Sequence, residues 1–293
     1  MRSAGPKEEP TKVTIEACMT LPADSSPHPL LERLMIDTKP LLQEAVRWLG
    51  TKAEKHGWVR RKRPPASLRL PDSYYYGVFY HAVRLTEALR RLDDISLYLR
   101  YFPGKRTYEK HGITQDKWIR YHYAYYVLTA VSLYDIALLL TNFVFRLGIP
   151  ESKCRTDVVA QNIWVVGTPV HKALAALDRL VNPYRKERHS HVHRGQLPDP
   201  DEIETLDLFS SVQLHAPAVV DAKALNRAYA LACTEIVQRM KSKIQQLTDG
   251  VRNFFDAILP VYESMAGALV RSVGSPSSSK PTSGKVGQSK RVR

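Results

Sequence analysis

The sequence has few cysteines, and the three it contains, Cys18, Cys154 and Cys233, lie far apart in the chain. No Cys-x-x-Cys pair occurs, which excludes the usual cysteine-rich zinc sites. An odd and scattered set of cysteines also argues against a disulfide scaffold. Unpaired cysteines are typical of reducing compartments, so we expect a cytoplasmic protein.

The sequence also lacks the short motifs that mark several large enzyme classes. It contains no GxxxxGK[ST], no GxGxxG, no HExxH and no GxSxG pattern. The usual sequence support is therefore missing for a P-loop ATPase, a Rossmann dehydrogenase, a zincin protease or an α/β-hydrolase.

The first residues have no apolar core of the signal-peptide type, so we expect no leader. One stretch, residues 126–144, is apolar enough to resemble a membrane span, but Asp135 lies near its centre. A carboxylate at mid-bilayer costs about 2.5–3.5 kcal/mol on insertion scales. We therefore predict that this stretch is a buried helix of a large bundle and that the protein has no membrane partner.

Acidic residues are too few to balance the basic ones, and the net charge is +14. Residues 275–293 carry five cations and no acid, and subtracting them from +14 still leaves +9 on the rest of the chain. A basic balance favours nucleic acid or another anionic partner. The alternative is a solvated basic surface that binds nothing.

Convincing strand-type alternation is missing, whereas long stretches show apolar residues at helical spacing. We predict a single all-α domain at residues 31–273, built as a bundle of long antiparallel helices. A flexible lead-in, 1–30, and a disordered basic tail, 274–293, flank it. The predicted helices cover 34–56, 71–101, 114–147, 156–165, 168 onward and 221–273, the last kinked or split at Gly250 and Pro260. The basic stretch 57–71 is predicted to be a loop.

The most informative stretch is rich in histidine and arginine and follows the amphipathic helix that begins at Thr168 and Pro169. Its centre reads Arg188-His189-Ser190-His191-Val192-His193, and Arg194 and Gly195 follow. Imidazole exchanges protons near neutral pH. A guanidinium keeps its charge and forks onto phosphate oxygens. The combination predicts a phosphate-handling site that needs no metal.

This pattern resembles the HEPN superfamily of all-α bundles, which is marked by an arginine with four to six residues between it and a histidine. Arg188 and His193 carry the resemblance, together with the polar residue after the arginine and the preceding helix. The resemblance implies a HEPN-like core and metal-independent RNA cleavage without a cofactor, at a cleft where two protomers pair as a homodimer. It also implies a role in a toxin or defence system, with an antitoxin or neighbouring-gene protein as partner.

Under this resemblance, His193 transfers the proton of an attacking 2′-hydroxyl and Arg188 stabilises the charge that develops on the phosphate. His189 lies four residues before His193, so it shares the same helical face and would shape the site or carry a second proton. Further candidate contacts to nucleic acid are the arginines beside the motif and in the basic loop: Arg185, Arg194, Arg60, Arg61 and Arg63. Gly195 stands where some family toxins carry a tyrosine, so regulation through that tyrosine is not expected.

Several alternatives stay open. Arg185 with His191 is a rival register of the motif. The basic helix end could merely complement the helix dipole. On a strand, a metal-ligand set could be formed by His189, His191 and His193, but the helical pattern of this segment disfavours a strand. Because many family members bind RNA or nucleotides without catalysis, the main functional alternative is a non-catalytic RNA-binding or protein-interaction module.

Two other features depend on their surroundings in the fold. Asp135 needs a buried partner or a polar cleft, and an arginine near the motif is one candidate partner. The tyrosine-rich segments at 74–80 and 121–126 could stack on bases, but tyrosines at helical spacing are more typical of a bundle core.

Overall fold

The computed structural model describes residues 20–22, 26–56, 70–102, 108, 110, 111, 113–198, 200–203, 206, 209, 212 and 221–274. Side chains are described in these ranges except at 44–56, 70, 71, 222, 273 and 274. Throughout these ranges the chain forms helices joined by turns and contains no strand, so the all-α prediction is confirmed.

Five long helices and one short one make up the bundle in the part of the chain that is described. They are α1 (Pro29–His56), α2 (Leu70–Arg100), α3 (Gln115–Val144), α4 (Thr156–Val159), α5 (Pro169–Arg194) and α6 (Ala222–Gly274). A 3₁₀ turn, Glu151–Lys153, precedes α4.

Helix α3 lies at the centre of the bundle and packs against α2, α5 and α6. The hydroxyl of Tyr74, near the start of α2, donates to the carbonyl of Val144 at the end of α3 (3.2 Å). At the other end, the indole N–H of Trp118 donates to the carbonyl of Tyr98 (3.2 Å). Contacts between opposite ends show that α2 and α3 run antiparallel, as predicted.

The apolar stretch at 126–144 is part of α3 and is largely buried, as predicted. By length and composition α3 would be able to cross a membrane, but 72% of its most apolar window is buried inside the protein. Tyr126 and Tyr134 are among the largest fully buried side chains of the bundle. A helix that is mostly apolar is expected where neighbouring helices cover most of its surface.

The packed region begins before residue 31, the predicted boundary. Leu21 and Leu30 are buried, and His28 Nε2 lies 3.0 Å from Asp256 Oδ1 on α6. Part of the lead-in that was predicted to be flexible therefore packs against the last helix. Residues 1–19 and 275–293 lie outside the described residues, as does the basic stretch 57–69 with Arg60, Arg61 and Arg63.

The predicted helix at 156–165 is too long, since α4 ends at Val159. Turns follow as far as Thr168, because the Asn162 carboxamide accepts the N–H of Trp164 (3.0 Å) and Gly167 adopts a positive φ of 81°. Side-chain hydrogen bonds of this kind compete with helix propagation. By contrast, α6 runs as one continuous helix through Gly250 and Pro260 and is not split there.

Gly77 allows α2 and α3 to approach closely, because a Cβ placed there would lie 2.5 Å from the ring of Phe143. We expect Gly77→Ala to lower the free energy of unfolding by about 1–3 kcal/mol, because the ring must move in a packed interface. Gly267→Ala in α6 is the matched control, because its Cβ would meet only Arg271 Nη1 at 3.5 Å. That change should stabilise by about 0.5–1 kcal/mol through helix propensity. Urea denaturation of both variants checks the pair, and a Gly77→Ala protein as stable as wild type would contradict the packing.

His81 is a buried titratable group on the same face of α2. It is 1% exposed, its ring lies 4.8 Å from that of Phe143, and its Nδ1 has no hydrogen-bond partner among the described residues. Burial, with a smaller effect of the Arg84 charge, lowers the pKa of His81 to about 4. The carboxylate of Glu151, 3.9 Å away and 65% exposed, is too well solvated to reverse this.

Because the pKa of His81 is lower in the folded protein than in the unfolded chain, folding is favoured by the neutral imidazole. Stability is therefore fully present above about pH 6.5 and falls as the pH drops towards 4, where the folded protein also takes up the proton. The loss amounts to about 3 kcal/mol over that range. Urea denaturation between pH 7 and 5 should show a shallower pH slope for His81→Phe than for wild type. Parallel slopes would contradict a neutral, buried His81.

Candidate functional site

The histidine-rich motif lies on the last turns of α5, a helix with a clear start and a clear buried face. The hydroxyl of Thr168 accepts the N–H of His171 (3.3 Å), and Pro169 occupies the first turn, where its missing N–H costs nothing. The buried stripe that docks the helix is Val170, Leu174, Leu177 and Val181. Four apolar residues at helical spacing thus set the orientation of the motif that follows them.

Gly195 ends α5 directly after the motif. Its φ of 67° is left-handed, its N–H donates to the carbonyl of His191 (3.1 Å), and the N–H of Gln196 reaches the carbonyl of Ser190 (3.4 Å). This glycine cap stops the helix at a defined residue. The whole motif, Arg188 to His193, is therefore helical, and its side chains follow helical geometry.

Arg188 is held across the helix interface by Asp135 of α3. Its Nη1 lies 3.3 Å from Asp135 Oδ2, and the two side chains are 41% and 50% exposed. Partial desolvation raises the pKa of Asp135, while Arg188 and then Arg185 act in the opposite direction. The expectation that Asp135 pairs with an arginine of the motif is confirmed, and the half-exposed guanidinium stays accessible to a phosphate.

His189 and His193 share one face of α5, as predicted from their spacing. Their ring centroids are 4.6 Å apart, and both side chains are exposed. Two surface imidazoles at this separation can accept a proton from one bound group and donate a proton to it. The described contacts hold the pair together but do not join either ring to Arg188.

Arg188 and His193 point in different directions within one chain. At 100° per residue, five residues along an α-helix correspond to a rotation of about 140°. Arg188 faces α3, whereas His193 lies with His189 in solvent. His191 is about 60° from Arg188 around the axis, and its Nδ1 lies 3.3 Å from the carbonyl of Gln196. The sequence motif treats all residues between arginine and histidine as equal, so it contains no signal for this divergence.

The rival register, Arg185 with His191, diverges by about 120° on the same helix. Arg185 forms an ion pair with Asp178, and its guanidinium lies 5.2 Å from the centroid of the Tyr134 ring. These contacts give Arg185 a structural role between α5 and α3. Arg194, the other predicted contact beside the motif, is exposed at the end of the helix.

Glu187, adjacent to Arg188 in sequence, lies with a different set of groups. Burial raises its pKa, opposed by the charge of Arg239 and by a hydrogen bond from Tyr123. Arg239 in turn holds both carboxylate oxygens of Glu202, at 2.6 and 3.0 Å. Close by, the hydroxyls of Tyr126 and Tyr184 are 3.0 Å apart. This network connects α3, α5 and α6 behind the motif and stabilises the orientation of its helix.

The metal-ligand alternative loses its geometric basis on α5. His191 is rotated by about 160° from both His189 and His193, so the three rings do not converge. Among the residues the structure describes, no group of three or more histidine, cysteine, aspartate or glutamate side chains is arranged to hold a metal ion.

The tyrosines of α3 divide into two sets that the sequence did not separate. Tyr123 and Tyr126 are buried, as predicted for a bundle core, but Tyr121 is 59% and Tyr125 46% exposed. The exposed pair lies on the side of α3 that no other described helix covers completely.

No protein-family model, no curated protein and no solved structure matches this chain. The candidate site is thus defined by its own residues.

Proposed function

We propose that this protein is a metal-independent endoribonuclease of the HEPN type, with a composite site formed where two copies meet. The observation that carries the proposal is the pair of accessible groups at one end of α5: Arg188, oriented by Asp135, and His193, beside His189. A fixed cation and a neutral-range proton carrier are the two groups that phosphodiester cleavage without metal requires.

The reaction proceeds by attack of a ribose 2′-oxygen on the adjacent phosphorus. The imidazole of His193 takes the 2′-hydroxyl proton as the new O–P bond forms. The guanidinium of Arg188 balances the extra negative charge on the phosphate oxygens. The bond to the 5′-oxygen then breaks, and that oxygen receives a proton from a second carrier, for which His189 is suitably close to His193. The products are a 2′,3′-cyclic phosphate and a 5′-hydroxyl end.

A second copy is needed because the two groups diverge within one chain by about 140°. In a two-fold pair, each surface meets the same surface of its partner. If Arg188 of one copy contacts His193 of the other, symmetry gives the reverse contact as well, so such a pair has two equivalent sites. In a toxin or defence system, an antitoxin or neighbouring-gene protein would act by covering this surface.

The test is cleavage of single-stranded RNA by tag-free protein in EDTA. Cyclic phosphate ends on the products are expected, because the proposed reaction consumes no water in its first step. A strict requirement for an added divalent metal, or 3′-hydroxyl ends on the products, would contradict the proposal.

A second candidate function is RNA binding without cleavage. It is favoured by the ion pairs that already engage Arg185 with Asp178 and Arg188 with Asp135. In this case the protein would bind RNA with a strong dependence on salt, since counterions are released from the phosphates. Binding without any cyclic phosphate product separates this function from the first.

A further inference from the structure

The outer side of α3 carries an exposed aromatic surface that continues from the Arg188–Asp135 pair. Tyr121, Tyr125 and Asp135 lie within about 80° of one another around the helix axis. The half-buried side chains of Leu128 and Ser132 lie between them on the same side. We call these five residues the α3 outer face. Its length from Tyr121 to Asp135 is about 21 Å.

Additional aromatic groups border the α3 outer face at its Tyr121 end. Tyr98, at the end of α2, is 50% exposed, and its ring lies 5.5 Å from that of His122. The ring of His122 is in turn 4.3 Å from that of Trp118. Tyr101 is 68% exposed just beyond α2. Flat rings are thus presented to solvent from two neighbouring elements.

Exposed cations occur in the segments that carry these rings. Arg100 ends α2, Lys110 lies between α2 and α3, and Lys117 is one turn before Tyr121 on the same side of α3. Arg188 pairs with Asp135 at the opposite end of the α3 outer face. Aromatic rings between cations form the pattern by which proteins bind single strands, with bases stacked on the rings and phosphates near the charges.

We propose that the α3 outer face binds single-stranded RNA and leads it to Arg188, with bases stacked on Tyr121 and Tyr125. This inference rests on the proposed ribonuclease function and adds the surface that binds its single-stranded substrate. A duplex would fit poorly, because its bases are already stacked and their faces are hidden. A second copy is disfavoured at the Tyr121 end of this face, since two-fold pairing there would bring Arg100, Lys110 and Lys117 of both copies together.

Binding is measured by fluorescence anisotropy with a labelled 2′-O-methyl RNA about twelve nucleotides long. This RNA cannot undergo attack by a 2′-hydroxyl, so binding is observed whether or not the protein cleaves RNA. The Tyr121→Ala/Tyr125→Ala double variant should bind at least about ten-fold more weakly than wild type, because two stacking platforms are lost. The matched control, Tyr121→Phe/Tyr125→Phe, keeps the rings and should bind within about three-fold of wild type.

Light scattering on the same proteins distinguishes RNA binding from self-association. Binding that depends on the two tyrosines, with an unchanged oligomeric state, supports the inference. If unmodified RNA is then not cut, the ribonuclease proposal fails while the binding surface stands. Equal binding by wild type and the alanine variant would overturn the inference. Loss of a dimer in the alanine variant would overturn it too, by assigning the α3 outer face to a second copy.

Discussion

His193→Ala is expected to lower the rate of RNA cleavage by at least about 100-fold, since a positioned proton carrier contributes about 10²–10⁴-fold. His193 is exposed, so the change should leave the fold intact. His191→Ala is the matched control, being the same substitution two residues away on the opposite side of the helix. Its activity should stay within about three-fold of wild type, as expected for a residue outside the chemistry.

The comparison of the two histidine variants also decides the register of the motif. Single-turnover cleavage at saturating protein isolates the chemical step from binding. Circular dichroism and thermal unfolding confirm that both variants are folded. If His191→Ala loses activity and His193→Ala keeps it, the assignment of His193 is wrong and the histidine nearer to Arg188 performs proton transfer.

Arg188→Ala should reduce cleavage by about 100- to 1,000-fold, the usual cost of removing a group aimed at developing negative charge. Arg188→Lys should recover only part of this loss, because an ammonium keeps the charge but not the two-pronged geometry. Arg179→Ala provides the control, since Arg179 is exposed on the same helix and is rotated by about 180° from Arg188. It removes the same net charge from the other face and should leave cleavage nearly unchanged.

The separate effects of Arg188→Ala on kcat and on KM distinguish a role in chemistry from a role in RNA binding. A guanidinium that stabilises the transition state lowers kcat, whereas one that only attracts RNA raises KM. Equal losses in Arg188→Ala and Arg179→Ala would show that net charge, rather than a site at Arg188, governs activity.

Much of the fold was predictable because its signals are local. Apolar residues at helical spacing and start signals such as Thr168 and Pro169 predicted most of the helices. The error at 156–165 arose because apolar residues continue past Val159, while the turns that end the helix depend on one side-chain hydrogen bond of Asn162. Burial of Leu21 against the bundle was also missed, because proline-rich composition says little about tertiary contacts.

The sequence analysis named the residues of the candidate site but did not predict the directions in which their side chains point. The sequence indicated that Asp135 needs a partner or a polar cleft, but its pairing with Arg188 depends on how α3 and α5 pack. The His189–His193 pair follows from its four-residue spacing. The rotation of about 140° between Arg188 and His193 follows from the same helical geometry that pairs His189 with His193. It was missed because the motif counts residues and ignores their direction. The exposure of Tyr121 and Tyr125 depends on which helices cover α3, and this is not encoded locally.

A mixing experiment tests most directly whether two copies share the site. Arg188→Ala and His193→Ala proteins, each inactive alone, are combined under conditions in which native mass spectrometry shows that chains exchange. A mixed pair contains one intact site, so activity should return to about a quarter of the wild-type value for random reassortment. No recovery of cleavage despite demonstrated exchange would contradict a site built from Arg188 of one copy and His193 of another.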